Sequence, residues 1–257
     1  GYPRYIEGAR YWLQYAGIPD SVDNYTGSKN DYTDDFSCRG RWVNYLAGGS
    51  AAYPEGPGLN IPVNMSVAFH SDAGCYPTDK LVGTFMFYTI TGDDKETTYP
   101  AGGDRICNRD FADYIQTQIV EDIRQTMMPT WQKRHLMQKS MSETRNPKVP
   151  STIIELLSHH NYYDMTFGLD PKFKFIVSRA IYKGMLRFIH QTTGTPYVVQ
   201  PLPVQQMNVT YANNDTLQIR WAERVDSLEP TATPSYYVLY TRTSQLKDGE
   251  WQTTDWD

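Results

Sequence analysis

Through residues 1–192 the apolar positions alternate between two periods. Tyr5 to Ala16 places Ala9, Leu13 and Ala16 on one face, which predicts a helix stopped by Gly17-Ile18-Pro19. A second helix carries Trp42, Val43, Tyr45 and Leu46, is expected to be capped by Asp34 or Asp35, and ends at Gly48-Gly49. Val63 to Phe69 and Gly83 to Thr89 read as strands. Asp110 to Met128 is a helix, with Ile115, Ile119 and Ile123 four residues apart and Pro129 at its end. Thr152 to Leu157 is a nearly unbroken apolar strand, as expected where both faces are covered. Phe173 to Ile189 returns to the helical period. Strands that alternate with helices predict an α/β domain, its mostly parallel sheet flanked by helices.

Beyond Thr195 the texture changes. The Pro-punctuated run P-Y-V-V-Q-P-L-P-V reads as a linker. Met207 to Tyr211, Thr216 to Trp221 and Tyr236 to Arg242 then read as strands separated by turn residues. We therefore place a boundary between an α/β domain, residues 1–195, and a linker plus partial all-β segment, residues 196–257. A buried Trp on an early strand and a Tyr-rich later strand resemble the opening of a fibronectin type III sandwich, which needs about seven strands. That count implies that this chain is a fragment of something longer.

Composition narrows the partners. The net charge is −5 with no basic block, which argues against nucleic acid. No apolar run reaches the ~18 residues of a membrane helix. Twenty Tyr and six Trp suit stacking on sugars, although packing accounts for most aromatic residues in any chain. Three cysteines, Cys38, Cys75 and Cys107, argue against a disulfide framework, and no Cys/His cluster suggests a zinc finger. Cys75, five residues after His70, is expected to be a buried, inert thiol.

Candidate chemistry lies in two segments. V-A-F-H-S-D-A-G delivers His70 at the polar end of a strand, a common position for a metal ligand. V-P-S-T-I-I-E-L-L-S-H-H-N embeds Glu155 among Ile153, Ile154, Leu156 and Leu157. A carboxylate so flanked is costly to bury unless it is paired, neutralised or bound to metal. Together they suggest a hydrolase site at the carboxyl edge of a sheet, where open α/β folds hold ligands. Each has a plainer role as well: a satisfied core histidine for His70, an ion pair with Arg145 for Glu155, a helix-start carboxylate for Glu7. His159 and His160 are expected on a loop, His135 and His190 at the surface, and Trp42, Tyr162 and Tyr163 in core or rim packing.

The order of these motifs resembles the zinc-dependent N-acetylmuramoyl-L-alanine amidase catalytic domain. F-H-S-D-A at 69–73 matches that family's S-I-H-A-D-A, and P-S-T-I-I-E at 150–155 matches P-A-V-L-V-E with the same Pro-to-Glu spacing. Arg145 stands where the family often has Arg. C-R-G-R-W-V-N-Y-L precedes the His strand, G-T-F-M-F-Y follows it, and S-R-A-I-Y-K-G-M-L resembles the last helix. The pattern departs from the family in L-L-S-H-H, where G-F-L-S-N is usual.

The resemblance implies zinc held by His70, by Glu7 and by a first histidine expected before Gly1. It assigns Glu155, with Arg145, to catalysis. A zinc ion with three protein ligands keeps a fourth position for water and lowers that water's pKa toward ~7. Glu155 would take the water proton and pass it to the leaving amine. The implied substrate is the muramoyl–L-alanine amide of peptidoglycan, met outside the cytoplasm: in the periplasm, at the cell surface or after secretion. Two other readings stand beside it. One is a metal-free, amidase-like scaffold that binds glycan or peptide; the other is a polysaccharide lyase working through Tyr, His and Arg.

Overall fold

The computed structural model describes residues 7–73 and 80–256, so Tyr5 and Cys75 lie outside the described residues. The chain divides into one unit up to Tyr197 and a second from Val198.

In the first unit, α1 (Ala9–Tyr15) and the single turn α2 (Asp20–Asp23) lead into α3 (Asp31–Ala47). Then come β1 (Ser66–Asp72), β2 (Thr84–Tyr88), α4 (Cys107–Thr126) and β3 (Lys133–Gln138). The turn α5 (Ser142–Arg145), β4 (Ser151–Ser158), α6 (Tyr162–Gly168) and α7 (Pro171–Thr193) complete it. Asn30, not Asp34 or Asp35, caps α3, its side chain accepting from the Thr33 amide at 3.0 Å. The two aspartates sit a turn inside the helix and take arginine partners instead: Arg10 at 3.2 Å from Asp34 and Arg39 at 2.7 Å from Asp35.

The sheet runs β1-β4-β2-β3. β1 is parallel to β4 and β2 is parallel to β3, while β2 and β4 are antiparallel. Strand β3 carries His135 in a segment that the hydrophobic pattern missed, because K-R-H-L-M-Q alternates only weakly. Side chains alternate across the sheet. Met86, Ile154 and Leu156 face a buried cluster with Phe111, Ile115 and Ile119 of α4 and Phe173 and Val177 of α7. Gly184 lets α7 close on α4: a Cβ there would lie 2.8 Å from the Ile115 Cα. The same helix pair buries Lys183 against Asp122 at 2.7 Å. Phe85, Phe87 and Ile153 face the other way with Ala68, Met137 and Met141.

The second unit contains two antiparallel hairpins, β5 (Gln205–Asn213) with β6 (Thr216–Ala222) and β7 (Ser244–Lys247) with β8 (Glu250–Thr253). Tyr236 to Arg242, expected as a strand, forms none. Alternating aromatic residues supply propensity, but a strand exists only by pairing. Trp221, expected buried, is 38% exposed and packs edge-on to Tyr237.

Candidate active site

The parallel register sets His70 directly opposite Glu155. A register shift follows between His70 and Asp72, so the edge strand bends at this pair. Both side chains lie on the sheet face turned away from α4 and α7, the face that carries Phe85 and Ile153.

The third group comes from α5. Glu143 brings its carboxylate over the strand ends, with Oε1 at 3.1 Å and Oε2 at 2.9 Å from the His70 Nε2. Arg39 of α3 donates from Nη1 to Glu143 at 2.9 Å and from Nη2 to Asp35 at 2.7 Å. Asp35, Arg39, Glu143 and His70 thus form a continuous chain of polar contacts. Burial alone would raise the Glu143 carboxyl, but the bonds from His70 and Arg39 outweigh it and hold it below its ordinary value. The Glu143 bond raises His70, against the opposing effect of burial.

Glu155 is the odd member. Its Oε2 is shielded from solvent and accepts no hydrogen bond. Burial raises its pKa; the cation of His70 pulls the other way, and the anions of Asp72 and Glu143 add to the rise. Asp72 itself is held by Arg134 at 2.8 Å, and Arg134 lies 4.1 Å above the Phe85 ring.

The remaining expected site residues lie elsewhere. The Arg145 Nε donates to Asp93 at 2.6 Å and its Nη1 to Ser140 at 3.0 Å, so the Glu155–Arg145 ion pair envisaged from sequence does not form. Glu7 is exposed in the turn before α1. His159 accepts from or donates to the Ser71 hydroxyl at 2.9 Å and meets His160 edge-on, while His190 pairs with the Thr195 carbonyl. His135 is exposed and stacks on Phe85, and Tyr162 is almost fully exposed. Sequence reasoning missed Glu143, Arg39 and Asp35. The only signal for Glu143 was its place two residues before the Arg that the family pattern singled out.

A metal fits this constellation poorly. His70 Nε2 and the Glu143 carboxylate do converge, as two ligands of one ion would. But the Arg39 guanidinium already neutralises Glu143, and among the described residues no group of three His, Cys, Asp or Glu is placed to hold an ion. Among the described residues the donors do not complete a three-ligand metal site.

No protein-family model and no curated relative matches this chain. Among solved structures it is similar to an N-acetylmuramoyl-L-alanine amidase from Clostridium difficile 630, with 14% identity and a TM-score of 0.45 over 67% of this chain and 80% of that one. The CwlD amidase of Clostridioides difficile, solved in complex with the GerS lipoprotein, is 17% identical with a TM-score of 0.43, covering 71% and 81%. The amidase AmiC2 of Nostoc punctiforme is 15% identical with a TM-score of 0.37, and only 59% of its chain is spanned.

Proposed function

We propose that the first unit is an amide hydrolase of the cell-wall amidase kind, acting outside the cytoplasm on the bond between the muramoyl lactyl group and L-alanine. The observation that carries this reading is the register: His70 stands beside Glu155, whose shielded Oε2 has no partner. A carboxylate whose pKa burial raises, and whose shielded oxygen has no partner, is suited to act as a general base. Glu155 takes a proton from water as that water attacks the scissile carbonyl, then returns it to the departing amine. His70, whose pKa the Glu143 bond raises, stabilises the developing oxyanion from the neighbouring strand when protonated. Arg39 fixes Glu143 so that the imidazole does not swing. The hairpins of the second unit are read as the start of a fibronectin type III-like spacer or docking module.

The test is release of L-alanine-terminated peptide from muropeptides. Glu155→Gln and His70→Ala should each lower the rate about 10²-fold or more. A second reading follows from the way Glu143 and Arg39 tie up the His70 Nε2: a scaffold that binds peptidoglycan without turnover. It requires sedimentation with sacculi that Glu155→Gln leaves intact, together with no hydrolysis by the unaltered chain.

A further inference from the structure

Helices α3 and α5 touch through Gly40, where an added Cβ would lie 2.9 Å from the Asn146 Cβ. Successive helix residues turn by about 100°, so positions 39 and 41 leave this contact on opposite sides. Arg39 goes to the site already described. Arg41 goes to a separate polar cleft of about 520 Å³, bounded also by Tyr25, Tyr53, Ser37, Asp94 and Arg145.

The cations of this cleft are not alike. Arg145 is matched by Asp93 at 2.6 Å, and Lys148 by Glu96 at 2.7 Å. Among the described residues Arg41 pairs with no acid. Its guanidinium lies 3.8 Å over the Tyr25 ring, and its Nε is shielded without a hydrogen-bond partner. Stacking fixes the plane of the guanidinium and leaves its Nη edge to take an oxyanion in fork geometry. Asp94 on the same wall repels a dianion such as phosphate and tolerates a single carboxylate, especially one carried beside N–H groups.

We propose that Arg41, stacked on Tyr25, is a binding site for a single carboxylate of a peptide, distinct from the His70–Glu155 site. The inference does not rest on amide cleavage, and it is read by binding alone. The probes are acetyl-L-alanyl-D-alanine, its C-terminal amide and inorganic phosphate, each titrated into the whole chain by NMR. The acid should bind at least tenfold more tightly than the amide or phosphate, and Arg41→Gln should abolish that preference. Arg41→Lys, which keeps the charge but loses the fork, should retain only part of it. Equal binding of acid and amide, no binding of the acid, tighter binding of phosphate, or a preference that survives Arg41→Gln would each overturn the proposal. The comparison of acid with amide on the unaltered chain decides the matter even where the variant does not fold.

Discussion

On β4, Ile154 and Leu156 enter an apolar cluster beneath α4 and α7, while Ile153 and Glu155 look toward α3 and α5. One strand thus builds a core on one side and a charged site on the other. The apolar face closes by shape: large side chains fill it and glycine admits the second helix. The opposite face adds to a smaller apolar group the pairs Arg39–Glu143, His70–Glu143 and Arg134–Asp72, set around Glu155, whose shielded Oε2 has no partner.

The strongest way to break this contrast is on the apolar face. Trp131 is fully buried against Phe167 and Phe173 and donates to the Thr84 hydroxyl at 3.0 Å. Trp131→Ala should cost about 3–5 kcal/mol in urea unfolding, with little dependence on pH.

Glu143→Gln on the other face should cost about 1–2 kcal/mol near neutrality, because the group it pairs with in His70 is a third exposed. Here the pH dependence has a definite sign. A depressed carboxyl stabilises above its unfolded pKa and loses that contribution as pH falls through its folded value. A raised imidazole stabilises below its unfolded pKa and loses that contribution as pH rises through its folded value. The penalty of Glu143→Gln should therefore be largest at about pH 4.5–6.5 and shrink on both sides. A penalty that is flat from pH 3 to 9 would show that the pair is not ionic.

Glu155→Gln should act in the opposite direction. A raised carboxyl destabilises the fold once pH passes its unfolded pKa, so the amide should gain about 1 kcal/mol at pH 8, read as a higher Tm, and little at pH 4. The smallest expected effect is none at all. Burial pushes the Cys38 thiol up to about 12 and Cys107 to about 11. Alkylation at pH 8 followed by peptide mapping should label Cys38 only after denaturation.

Much of this contrast was legible in the chain. The four-residue spacing of Ile115, Ile119 and Ile123 fixed α4, and the unbroken run around Ile153 marked a strand covered on both sides. His70 and Glu155 stood out because ionisable groups are conspicuous in apolar strands. Glu143 did not, since it lies in a single turn whose direction is set by tertiary packing and not by period. Arg145 drew attention two residues later, yet that short turn sends the two side chains to different neighbours: Glu143 to His70, Arg145 to Asp93. The Asn30 cap was hidden among competing polar residues. The strand expected over 236–242 shows the complementary limit, because pairing partners are not written in local sequence.

The β1–β4 register also governs how this fold can be reached. Ser66 pairs with Ser151, so the edge strand waits for a partner far along the chain. Closing a loop of that length costs on the order of 4 kcal/mol in chain entropy before any contact repays it. During synthesis β1 and β2 leave the ribosome with Val67, Phe85, Met86 and Phe87 and no β4 to shield them. Non-local sheets of this kind fold slowly and expose strand edges to other chains meanwhile. The strand that sets His70 beside Glu155 therefore also joins the two parts of the sheet: until β4 arrives, β2 has only β3 to pair with and β1 has no neighbour.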